Sequence, residues 1–215
     1  MTKARTFLFL FITCVSHSYS QKSVHYNLAE LLSNGKLITD TSTHTKALND
    51  SRYKGAVSTQ KIVWLKDVSF KNGTIDIDLR GKDVFLQSFL GIAFHASDIN
   101  HYELVYFRPF NFQYADTARR RWSLQYMVVP DNEWDKLRKE HPLVYENSIT
   151  QPPKPNEWFH ASIVATKDSI KVFVNHSATP SLEAKRLVNT SDGMIGLWDD
   201  ELSGDFANLN IKKDK

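Results

Sequence analysis

Hydrophobic and polar residues alternate with a period of two along much of the chain. The clearest case is residues 70–80, which turn at Asn72-Gly73 and then set Ile75, Ile77 and Leu79 against Asp76, Asp78 and Arg80. Successive side chains of a strand point to opposite faces, so this stretch is predicted to be a half-buried strand. A short apolar run, Ile62-Val63-Trp64-Leu65, precedes it. Further strand-like runs lie at 84–96, 102–110, 122–129, 158–166, 170–175, 194–198 and 206–211. Many strands without long helices between them predict an all-β sandwich or barrel. Residues 24–32 fit a loop, a helix or an edge strand.

Residues 130–156 break the pattern and are long for a loop, which points to a functional segment or one with its own small element. Asp131 is expected to cap a short helix running to about Glu140, with Trp134, Leu137 and Arg138 at helical spacing. Pro152, Pro153 and Pro155 then force an extended return to the next strand.

Parity sorts the strand residues into faces. Ile92 and Phe94, Val105 and Phe107, Leu124 and Tyr126, and Phe159, Ala161, Ile163 and Ala165 form the expected core sets. The opposite sets carry His95, Tyr106, Arg108, Gln125 and His160, with Trp122, Trp134 and Trp158 at the rim. Rings and hydrogen-bonding groups on one face suit a sugar, whose C–H faces stack on aromatics while its hydroxyls need partners. Solvated positions of an antiparallel sandwich are the plain alternative. Arg108, between aromatics and before Pro109, is the position that most needs a partner. The expected site requires His95 and Arg108 to share one hollow.

Lys3 and Arg5 precede an apolar stretch at 7–15, and Ser18-Tyr19-Ser20 supplies small residues beyond it. This is the pattern of a signal peptide over residues 1–20, leaving 21–215 as one domain. The apolar stretch is too short to span a bilayer, so no membrane segment is expected after cleavage. Cys14 is the only cysteine, so a mature chain has neither disulfides nor thiolate sites. A composition of 41% hydrophobic and 24% charged residues supports a packed core. The net charge of +3 falls to +1 without Lys3 and Arg5, giving no overall footprint for nucleic acid. The run Arg119-Arg120-Arg121 is too short to change that.

Catalytic patterns are sparse. The chain has no Glu-x-Asp-x-x-Glu strand, glycine-rich phosphate loop, His-Glu-x-x-His or Gly-x-Ser-x-Gly. Asp76 and Asp78 share a face without a third carboxylate. If the site is catalytic, Glu103 or His95 is the proton-transfer candidate, with Asp98 or Glu146 as a second carboxylate. Asp199, Asp200, Glu201 and Asp205 surround Gly204, and Asp199 and Asp205 are candidate ligands for a structural calcium. A solvated acidic turn is the other reading, and no further cofactor is expected.

The segments GIAFHASDINHYELVYFRPFNF (91–112), RRRWSLQY (119–126), EWDKLR (133–138), YEN (145–147) and EWFHASIV (157–164) resemble a known group. VFVN (172–175) and GMIGLWDDELSGDFANLNI (193–211) are similar to it too. The group is the secreted concanavalin A-like domains, which include the 3-keto-disaccharide hydrolase (DUF1080) domains and laminin-G-like folds. The resemblance implies a two-sheet antiparallel jelly-roll sandwich with one long loop carrying a short helix. It also implies a secreted or periplasmic protein of the bacterial cell envelope with a carbohydrate ligand. The matching positions are His95, Asp98, Tyr102, Glu103, Tyr106, Arg108, Gln125, Trp134 and Arg138. The group brings no settled catalytic assignment, and one fold hosts many functions. Carbohydrate binding or processing is the expected function, with His95, Tyr106, Arg108, Gln125, Trp134 and Arg138 as ligand-binding residues. A glycoside hydrolase or lyase of the 3-keto-disaccharide type and a laminin-G-like protein-interaction module are the alternatives. Oligomeric state stays open.

Overall fold

The computed structural model describes residues 23–39, 44–189 and 192–214, so the expected signal peptide lies outside the described residues. In chain order the first elements are β1 (Ser23–Tyr26), α1 (Leu28–Ser33), β2 (Leu37–Ile38), β3 (Lys46–Ala47), β4 (Val57–Thr59) and β5 (Val63–Phe70). Then come β6 (Gly73–Arg80), β7 (Ser88–Asp98), β8 (His101–Phe107), α2 (Thr117–Arg120), β9 (Leu124–Val129) and α3 (Trp134–Glu140). The last are β10 (Glu146–Asn147), β11 (Phe159–Ala165), β12 (Ser169–Val174), β13 (Leu182–Lys185), β14 (Gly193–Glu201) and β15 (Gly204–Lys213).

These strands make two antiparallel sheets. The eight-stranded sheet has the order β13-β12-β11-β6-β15-β4-β3, with β1 also paired to β15. The seven-stranded sheet has the order β10-β9-β8-β7-β14-β5-β2. This is the two-sheet jelly-roll sandwich that the resemblance implies, within the sandwich or barrel class that the alternation predicts.

Burial follows the same alternation. β6 and β11 are buried at every second residue, and Ile75, Ile77, Leu79, Phe159, Ala161 and Ile163 pack against Ile92, Phe94, Val105, Phe107 and Tyr126 of the other sheet. Removing each large side chain from water stabilises the fold by about 1.5–3 kcal/mol. A second apolar cluster lies on the outer face of the seven-stranded sheet, where Trp64, Ala93, Leu104, Tyr106 and Met127 meet Leu137 of α3. The helix of the long segment covers part of that face through Leu137.

Several elements differ from expectation. Residues 24–32 hold both a strand and a helix: Asn27 separates β1 from α1 and its side chain accepts the Glu30 N–H at 3.1 Å. Val84, Phe85 and Leu86 are exposed and precede β7, and Leu86 has φ +59°, which takes the chain out of strand geometry. Asp131 does not cap α3. Asn132 instead bridges back to Val128, which keeps the chain extended and delays the helix to Trp134, with Glu133 at the cap position. Glu146 and Asn147 form a short strand inside the long segment.

Candidate functional site

One cross-strand row builds the floor of the site. On the outer face of the seven-stranded sheet, Trp198 of β14 stands opposite Gly91 of β7, Gly91 opposite Tyr106 of β8, Tyr106 opposite Gln125 of β9, and Gln125 opposite Glu146 of β10. Gly91 leaves a gap in this row: a Cβ there would come within 2.8 Å of Tyr106 Cβ. Across the gap the Tyr106 and Trp198 rings meet edge to face, with centroids 5.4 Å apart.

Arg108 continues the outward parity of β8 and folds over this row. Its Nη2 donates to Tyr106 Oη and to Gln125 Oε1, its Nη1 donates to the Trp122 carbonyl at 2.9 Å, and its guanidinium lies 4.6 Å from the Tyr106 ring centroid. Tyr106 Oη donates to the same Gln125 oxygen at 2.9 Å, which leaves Gln125 Nε2 buried with no protein partner among the described residues. Glu146 is 2% exposed and holds two arginines: Arg138 bonds it through Nε at 3.0 Å and Nη2 at 2.7 Å, and Arg108 Nη1 is 4.0 Å away. A buried carboxylate is tolerable only when paired this way. Burial pushes the Tyr106 phenol up to about 12, so it acts as a neutral donor and acceptor. Burial also lowers Arg108 from its ordinary value, against the pull of Tyr106 and Glu146, and a guanidinium stays cationic nonetheless.

A hollow of about 340 Å³ opens above this floor, lined by Phe89, Tyr106, Arg108, Trp134, Arg138 and Trp198. Trp134 and Arg138 come from α3, one helical turn apart, which is why both reach the same opening. Arg138 packs over both Trp122 and Trp134, at 4.6 and 5.2 Å from the ring centroids. Glu133 and Asp200 add two carboxylates to the lining, and Leu86 and Met127 complete it.

His95 does not reach this hollow. A bulge between Phe94 and Asp98 gives His95 φ +53° and turns it to the inner side of the sheet, where it is 2% exposed. Gly193 packs on that bulge: a Cβ would lie 2.4 Å from the His95 carbonyl carbon. Inside, His95 Nδ1 is 2.7 Å from Glu103 Oε1, Tyr126 Oη donates to Glu103 Oε2 at 2.6 Å, and Arg186 binds both Glu103 oxygens. His95 and Arg108 therefore face separate regions, and the shared hollow expected from parity is corrected to one without His95. Glu103, fully buried in this cluster, and His95 lie on the inner side of the sheet, away from the hollow.

The other expected residues divide by sheet. Tyr102 lies on the same outer face but packs edge-on to Trp64, and Asp98 pairs with His101 in an exposed turn. Trp158 is remote from the hollow: it stacks on Tyr53 at 4.3 Å and under Arg80. His160 belongs to the eight-stranded sheet, where Asp76 and Asp78 flank it and hold its imidazole up at about 9. Burial alone would raise Asp76, but hydrogen bonds from His160 and Ser162 outweigh it and keep that carboxyl below its usual value. The two candidate calcium ligands are engaged separately: Asp199 accepts the Lys61 N–H at 2.7 Å from inside, while Asp205 is bound to Arg80 at 2.8 Å. Among the described residues no three His, Cys, Asp or Glu side chains gather as metal ligands.

Phe89, Trp198, Glu133 and Asp200 line the hollow without being sequence candidates for it, Asp200 figuring there only as part of the acidic turn around Gly204. Trp198 and Asp200 share outward parity on β14, but only the register of β14 against β7 shows that Trp198 stands across Gly91 from Tyr106.

No family model matches the chain, and no curated protein does. Solved structures do share its fold. A carbohydrate-binding module from Bacillus subtilis superposes with a TM-score of 0.52 at 15% identity, covering 80% of this chain and 96% of the module. A protein of galectin-like fold from Bacillus subtilis superposes with a TM-score of 0.57 at 10% identity, covering 91% of this chain and 98% of that one. At these identities the likeness is one of fold. Among the described residues no helix is long and apolar enough to cross a membrane.

Proposed function

We propose that this chain is a carbohydrate-binding β-sandwich protein that takes a sugar unit in the hollow over Tyr106 and Arg108. The carrying observation is the lining itself: the rings of Phe89, Tyr106, Trp134 and Trp198 surround an opening into which Arg108 and Arg138 are fixed by their bonds to Gln125 and Glu146. Rings accept the C–H faces of a pyranose, and held guanidiniums donate to its hydroxyls without ordering cost at binding. An opening of about 340 Å³ is in the range of small-ligand sites. The resemblance to secreted concanavalin A-like domains and the carbohydrate-binding module among the fold neighbours support the same reading. The N-terminal pattern supports a location outside the cytoplasm.

The test is a glycan array followed by titration calorimetry. Wild-type protein should bind at least one class of oligosaccharide, and Arg108→Ala should weaken that binding at least about 30-fold, the ~2 kcal/mol expected of a buried charged hydrogen-bonding group. Binding that survives Arg108→Ala unchanged would remove the site assignment.

Glu133 and Asp200 favour a second reading, because two carboxylates on one hollow are the equipment of a glycoside hydrolase or lyase. Turnover of plain and 3-keto disaccharides that disappears in both Glu133→Gln and Asp200→Asn would establish it. Bound but unconsumed sugars would leave a binding protein.

A further inference from the structure

Arg138 borders two hollows, not one. Beyond it lies a second opening of about 440 Å³, lined by Asp116, Arg119, Arg121, Trp122, Arg138 and Glu146, with Ala118, Pro142 and Leu143 completing the wall. The two hollows differ in charge. In the first, Arg108 and Arg138 face Glu133 and Asp200, so the formal charges balance. In the second, three guanidiniums stand against two carboxylates, and both carboxylates are already engaged. Asp116 caps α2 by accepting the Ala118 N–H at 2.9 Å, and Glu146 is bound by Arg138. Arg119 is held in place by Asn111 Oδ1 at 3.1 Å and by the Phe85 and Tyr114 rings. Arg121 is exposed; its backbone N–H donates to the Arg119 carbonyl, and its side chain makes no hydrogen bond or ion pair among the described residues. The Trp122 ring offers a wall for stacking beside these cations, with Arg138 over it.

We propose that the binding groove continues past Arg138 into a second subsite that takes an acidic sugar unit, one bearing a carboxylate or a sulfate ester. The inference rests on the carbohydrate reading of the first hollow and adds an orientation to it. A neutral unit lies in the balanced hollow, and the anionic unit lies against Arg119 and Arg121, where planar guanidiniums match carboxylate or sulfate oxygens. An anion in the first hollow would face Glu133 and Asp200 and is disfavoured there.

Calorimetry with three oligosaccharides of equal length, one neutral, one of uronic acids and one sulfated, tests this. At low salt the better acidic ligand should bind at least tenfold tighter than the neutral one, and that advantage should shrink as salt rises. Whichever of the uronate and the sulfated ligand binds tighter identifies the source of the anion. Arg121→Gln should lower the acidic-to-neutral affinity ratio at least threefold, while Arg121→Lys should retain most of it. Arg121 is exposed, so the fold should survive, as a circular dichroism spectrum will show. Equal affinity for neutral and acidic ligands overturns the inference and leaves the carbohydrate reading intact, as does an acidic preference that Arg121→Gln does not touch. Failure of all three ligands to bind overturns both.

Discussion

Glu103 and Glu146 are both buried and both bound by arginine, yet they lie on opposite faces of the same sheet. Glu103 faces inward and is held by Arg186, Tyr126 and His95. Glu146 faces outward and is held by Arg138, with Arg108, Gln125 and Tyr106 beyond it. The side chains are nearly the same in kind, so their chemistry does not separate a structural network from a binding one. What separates them is the space next to each. The inner network is sealed between the sheets, whereas the arginines of the outer one end at an open hollow. A constellation of titratable residues becomes a candidate site only where a ligand can reach it.

Breaking the inner network should have the largest effect on stability. Glu103→Ala leaves Arg186 buried without its carboxylate and should cost about 3–5 kcal/mol in urea unfolding. The protein that remains folded should still bind sugar, because Glu103 is bonded on the inner side of the sheet and the hollow opens on the outer side. Arg108→Ala should reverse the pattern: it should cost about 1–3 kcal/mol of stability, since Glu146 keeps Arg138, while glycan binding collapses. If Arg108→Ala unfolds the protein more readily than Glu103→Ala, or if Glu103→Ala abolishes binding by folded protein, the division between the two networks fails.

The same contrast shows what was legible in the sequence. Alternation at 75–80 and 159–165 reads directly as strand because the interior demands apolar residues at every second position. That logic also placed Tyr106, Gln125 and Arg108 on one outer face, and they do meet there. It failed at His95, where one bulged residue inverts the parity, and a bulge leaves no mark on the pattern of polar and apolar residues. It failed again for His160, since parity assigns a residue to an outer face but not to one of two sheets. Glu146 and Trp198 depend on the register of β10 on β9 and of β14 on β7, which are long-range facts set by the whole sandwich.

Asp199 sharpens the comparison from a third side, as a buried carboxyl with no arginine. It is 2% exposed, its Oδ1 accepts the Lys61 N–H, and its Oδ2 has no partner among the described residues. Burial, the largest influence, pushes its carboxyl up to about 8 from an ordinary 3.8, although the Lys61 and Gly204 amides pull it down. The sign follows from proton binding. Between about pH 4 and pH 8 the folded protein keeps this proton while the unfolded chain gives it up, so stability falls as pH rises across that window and levels off above it. One proton corresponds to a slope of at most about 1.4 kcal/mol per pH unit. Asp199→Asn removes the titration, so the difference in unfolding free energy between wild type and variant should tilt against the wild type from pH 5 to pH 8. His160, whose raised value also makes stability fall with rising pH between about 6.5 and 9, contributes equally to both proteins and cancels. A flat difference curve across that range would mean that Asp199 is ionised in the folded protein, and that an arginine is not what a carboxylate buried in this fold requires.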